Sequence, residues 1–128
     1  MRYLLYIALV LTIYSCKGSY GQKLTYGKGE LFYTDNVNKQ QAEKLGGYLQ
    51  NVGFWQADRT ISVQLDKAAD TFLFRMVVQP SYLNDPAFHQ TAVTSVKEFS
   101  NNVFDKSPTV IHFCNDQFKT LKVIRGEM

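Results

Sequence analysis

Cysteine, histidine, proline and tryptophan are all scarce in this chain of 128 residues, which holds two Cys, two His, three Pro and one Trp. Two cysteines, Cys16 and Cys114, cannot build a disulfide framework, and without a C-x-x-C pair they offer neither a structural zinc knuckle nor a redox couple. No H-E-x-x-H, G-x-S-x-G or S-x-x-K occurs, so the short signatures of zinc peptidases and serine nucleophiles are missing. Glycines 18, 21, 27 and 29 precede a strand instead of joining a strand to a helix, and so form no phosphate loop. A dominant charge is missing too: 14 Lys+Arg stand against 11 Asp+Glu. No basic stripe and no aromatic RNA-binding motif is present, which argues against a nucleic-acid partner.

What is present is 45% apolar and 14% aromatic residues, enough for one packed domain and too much for a disordered chain. Met1-Arg2 followed by the twelve apolar-rich residues Tyr3 to Tyr14 has the layout of a signal segment. A spanning helix needs about 20 such residues, so this run is short for a membrane anchor. The expectation is export, to the cell envelope or periplasm or to the medium.

Ile13-Tyr14-Ser15-Cys16 resembles the lipobox of bacterial lipoproteins, with Tyr14 in place of a small residue. The resemblance implies lipidation of Cys16, cleavage before it and a membrane association through that lipid. The alternatives are cleavage after the small-x-small site Ser19-Tyr20-Gly21, or an uncleaved anchor. Loss of residues 1–21 removes Arg2 and Lys17 and leaves 12 basic against 11 acidic residues. On either cleavage Cys16 is consumed or lost, so no internal disulfide is available and the core alone must stabilise the domain.

The expected organisation is a signal segment at 1–21, a flexible tether at 22–29 and a single domain at 30–126. Counted from a lipidated Cys16, the glycine-rich stretch to Glu30 would reach roughly 45–50 Å at about 3.3–3.6 Å per residue. Within the domain, residues 30–34 read as a strand. Asn38 with Gln41 suggests a capping box opening a helix over about 39–52, with Gly46 beside its apolar face. Residues 60–66 and 70–78 alternate as a hairpin that turns Ile61, Val63, Leu65, Phe72, Phe74, Met76 and Val78 inward. Asp85-Pro86 starts a second helix ending near Asn102, and residues 109–114 and 118–124 make a second hairpin.

The order β-α-β-β-α-β-β predicts an α+β two-layer sandwich, a mostly antiparallel sheet with two helices on one face, of ferredoxin-like type with an extra strand. The two α-β-β segments echo at a spacing of 50 residues, pairing Phe54 with Phe104, Ile61 with Ile111, Val63 with Phe113 and Asp66 with Asp116, which suggests an internal duplication.

Candidate site residues are few. His112 and Cys114, two apart on a strand, leave the same face and form a weak metal pair, short of the three or four ligands a stable site needs. The aspartates fall in turns and caps, where they accept backbone N–H bonds. Trp55 beside Arg59 is either a partner hot spot or a plug for the core. Leu73, Arg75 and Val77 lie on the sheet face away from the helices, too mixed for core and too apolar for a fully solvated surface. With no catalytic constellation and no cofactor motif, the sequence points to a non-catalytic protein-interaction domain of the cell envelope, binding a partner protein or itself. The alternative is a small-ligand or metal-binding periplasmic protein using the open sheet face.

Overall fold

The computed structural model describes residues 20–126, and the signal segment therefore lies almost wholly outside the described residues. The elements are β1 (Gln22–Tyr26), β2 (Gly29–Tyr33), α1 (Lys39–Asn51), β3 (Ser62–Ala68), β4 (Thr71–Val77), a single 3-10 turn at Pro80–Tyr82, α2 (Pro86–Asn102), β5 (Thr109–Cys114) and β6 (Thr120–Arg125). Among the described residues no helix is long and apolar enough to cross a membrane.

Both helices start where the side-chain chemistry says they should. Asn38 Oδ1 accepts from the Gln41 N–H at 2.8 Å while Gln41 Oε1 accepts from the Asn38 N–H at 3.1 Å, the reciprocal pair of a capping box. Asp85 accepts from the N–H groups of Ala87 and Phe88, and Pro86 sits first in α2, where its missing N–H costs nothing. Ala42, Leu45 and Leu49 of α1 and Ala92, Val96 and Phe99 of α2 are buried, as the 3.6-residue period requires.

All six strands join one sheet in chain order, β1 to β6. The pairs β1–β2, β3–β4 and β5–β6 are antiparallel hairpins, whereas β2–β3 and β4–β5 are parallel and joined through the helices. Alternate residues Leu31, Tyr33, Val63, Leu65, Phe72, Phe74, Ile111, Phe113 and Ile124 are buried beneath α1 and α2 in one core. The β3–β4 register, Val63 opposite Met76 and Leu65 opposite Phe74, turns inward the set that strand alternation selects.

The structure corrects three expectations. Residues 22–29 are no tether. They hold β1 and the turn into β2, paired from Gln22–Tyr33 to Tyr26–Gly29, because Leu24 and Tyr26 add their side chains to the core. Second, the sheet is mixed and sequential. A ferredoxin-like sheet splits its β-α-β units with an intervening strand, whereas here each helix links adjacent parallel strands.

Third, the geometry is incompatible with a rotation-related α-β-β duplication. Both crossovers step the same way across the sheet and lie on the same face, with Tyr48 of α1 touching Phe99 of α2, yet β2–β3 and β4–β5 run in opposite directions. The two crossovers therefore have opposite hands, and one must be left-handed, a rare arrangement. No rotation superposes units of opposite hand, so the 50-residue echo reflects similar elements with similar apolar spacing.

The β5–β6 hairpin departs from its expected bounds at Phe118. Asn115 Oδ1 accepts from the N–H groups of both Gln117 and Lys119 and holds the turn closed, and Phe118 takes φ 57 and leaves the strand. Its ring folds back over the sheet face opposite the helices.

Candidate functional site

α1 packs over β1 and β2 while α2 packs over β5 and β6, which leaves the middle of the sheet bridged only by side chains. There a cleft opens between the helices. Its inner part, about 280 Å³, is walled by Tyr48, Leu49, Phe88 and Phe99 over a floor of Phe74 and Phe113. A wider outer part, about 510 Å³, shares Phe54, Met76 and Phe88 with it and adds Arg59, Ser62 and Tyr82. The two form one apolar hollow with its polar groups at the mouth, the usual build of a binding site. Exposed Val52, at 58%, lines the inner part, and exposed Tyr82, at 43%, lines the outer. Nothing in the sequence marks this cleft, since its walls read as core at helical and strand spacing.

Trp55 is half-buried. Its indole stacks flat on Tyr26, and its Nε1–H donates to the Gly46 carbonyl at 3.3 Å, which plugs the corner where α1 meets β1 and β2. A Cβ on Gly46 would strike the Tyr26 ring, and one on Gly29 would strike Trp55, so both glycines make room for the stacked pair. Arg59 is exposed in the loop leading to β3, at the mouth of the cleft. Of the two neighbours in sequence, only Arg59 therefore reaches the cleft.

On the helix-free face Leu73, Arg75 and Val77 are half-buried. Arg75 Nη1 donates to Gln64 Oε1 at 3.3 Å, Arg75 Nη2 lies 4.0 Å from Asp66 Oδ2, and Arg75 Nε is buried with no partner. Asp66 Oδ1 also accepts from the Thr34 hydroxyl at 2.6 Å and the Asn36 amide at 3.1 Å. Burial pushes the Asp66 carboxyl up, but these two bonds, the Lys67 N–H and the Arg75 charge together outweigh it and hold the group below the usual Asp value. The chain forms a structural brace across β2, β3 and β4.

His112 and Cys114 do share that face, as their spacing requires, but they are committed elsewhere. His112 Nδ1 meets Thr120 Oγ1 at 2.9 Å, and burial, with Arg75 and Arg125 adding to it, lowers its pKa. Cys114 is fully buried beside a bulge in β5–β6, and burial raises its thiol despite Thr120 and Arg75. Among the described residues no three His, Cys, Asp or Glu side chains come together to hold a metal ion. Cys16 lies outside the described residues.

A family model described as the AF_1994_N family N-terminal domain matches residues 23–125. No curated protein and no solved structure matches the chain. The family match opens inside β1 and closes on the last residue of β6, so it spans the whole sheet and both helices. The chain belongs to the family of the AF_1994_N N-terminal domain.

Proposed function

We propose that this is an exported, non-catalytic interaction domain that seats an apolar anchor of a partner protein in the cleft between α1 and α2. The observation that carries this reading is the rim: two of the four exposed large apolar side chains among the described residues, Val52 and Tyr82, border the aromatic-floored hollow described above. Hot spots of protein interfaces are aromatic-rich, well-packed pockets of this kind. Export rests on residues 1–21, and lipid attachment at Cys16 rests on the lipobox resemblance.

Photo-crosslinking in the native host tests the reading. A photoreactive residue at Val52 is expected to give a discrete protein adduct that vanishes when the cleft is filled from its exposed rim by Thr91→Trp. No adduct, or one indifferent to Thr91→Trp, would remove the proposal.

A second reading, a small amphiphile in the same cleft, is favoured by Arg59. This exposed cation stands at the mouth of an apolar hollow, placed for an anionic head group above an apolar tail. An anionic apolar dye that binds wild type and fails to bind both Arg59→Ala and Thr91→Trp would support the small molecule over the protein.

A further inference from the structure

We infer that the helix-free face of the sheet lies against a lipid surface, held there by a lipid on Cys16. The inference rests on the export and lipidation proposed above. The Tyr20 ring packs edge-on against Phe32 at 5.7 Å and Phe118 at 5.1 Å, and those two rings meet at 5.8 Å. The Tyr20 carbonyl accepts from the Gln64 side-chain amide at 2.9 Å, and Gln64 is only 5% exposed on that face. Tyr20 is therefore held in the middle of the helix-free face, opposite the cleft.

Tyr20 lies four residue steps from Cys16, a reach of at most about 14 Å at 3.3–3.6 Å per residue. A lipid on Cys16 would hold this face close to the head groups and turn the cleft outward. The competing cut after Gly21 would discard Tyr20. That would open a three-ring cluster for which Phe118 accepts a left-handed backbone, and would strip a buried amide of its acceptor. Peptidases act before folding, so the packing does not protect the bond, but the shorter product lacks part of its own face.

The chemistry of the face suits an anionic head-group layer. Val123, opposite His112, is 41% exposed there, and neighbouring Leu121 on the same edge strand is 47% exposed. Arg125 stands exposed opposite Val110. The acids of the face are engaged: Glu30 by Lys23 at 3.6 Å and Asp66 by Arg75 at 4.0 Å. Surface apolar groups with net positive charge are what a polar, anionic lipid boundary attracts.

The test uses the full chain processed in its native host. Intact mass of the membrane fraction is expected to show a lipidated product beginning at Cys16. Then, in a Cys114→Val background, a fluorophore is placed by Val123→Cys on the helix-free face or by Gln90→Cys on α2. Both labelled proteins are reconstituted in vesicles containing spin-labelled anionic lipid. Quenching at position 123 severalfold stronger than at position 90 supports the inference, and equal or reversed quenching overturns it. An exported chain beginning at Gln22 overturns it as well while leaving export standing. An unprocessed chain in the cytosol would instead remove the proposed function itself.

Discussion

The indole of Trp55 lies flat on the phenol of Tyr26, with ring planes 2° apart and centres 5.1 Å apart. This stack joins the loop after α1 to the end of β1, and it closes the corner of the core that the two glycines leave open. Trp55→Ala is expected to destabilise the domain by about 2–3 kcal/mol, somewhat less than for a fully buried Trp. Gly46→Ala separates packing from helix propensity: propensity alone favours Ala by about 1 kcal/mol, but its Cβ meets a ring that Trp55 pins in place. Urea unfolding should show a net loss for Gly46→Ala. A gain would mean that the stack is loose.

Cys114 should behave as a small core hydrophobe. Thiol reagents attack the thiolate, and burial both shields this group and raises its pKa. Native protein is expected to resist a thiol-reactive dye that labels it fully in denaturant. Cys114→Val should change stability by less than about 1.5 kcal/mol, while Cys114→Asp should prevent folding. Fast labelling of the native state would contradict the burial.

Stability should fall on acidification in two stages. His112 has a folded pKa below its ordinary value near 6.5, so the unfolded chain takes the proton first. Its contribution is present above about pH 6.5 and fades as pH drops toward the folded value. Asp66 also has a lowered folded pKa, so its contribution holds above the ordinary Asp value of about 3.9 and is lost as pH falls through the lowered one. A pH series of urea midpoints should lose the upper stage in His112→Gln and the lower stage in Asp66→Asn. Unchanged profiles would mean that neither group couples to folding.

The ring cluster of Tyr20, Phe32 and Phe118 can be measured apart from any membrane. A double-mutant cycle of Tyr20→Ala and Phe118→Ala is expected to show a coupling of about 0.5–1.5 kcal/mol, the ordinary worth of an edge-on aromatic pair. Additive losses would place Tyr20 outside the folded unit.

The helix caps and the β3–β4 hairpin were legible because their signals are local. Asn38 with Gln41, Asp85 with Pro86, and the alternation of residues 60–78 each specify geometry within a few residues. Phe118 shows where such reading stops. It looks like the first residue of a strand, yet Asn115 closes the turn by bonding two later N–H groups and forces Phe118 out. The tether failed for a related reason: Leu24 and Tyr26 among glycines carry no period, and their pairing with Leu31 and Gly29 is visible only across the hairpin.

Of the candidate site residues, Arg59 and Val77 border the cleft, while the side chains of Trp55, Arg75, His112 and Cys114 pack against or brace neighbouring elements. The cleft is not legible in the sequence because Phe54, Phe88 and Phe99 obey the same burial patterns as residues that are sealed in.

Outside β1 and the turn at Phe118, spacing along the chain by itself determined which segments become helix or strand and which side of each is apolar, because those choices depend on neighbours one to four positions away. Only the tertiary structure decided the strand order, the opposite hands of the two crossovers and the gap left between the helices. Apolar side chains say that a face must be covered and carry no record of which other face covers it.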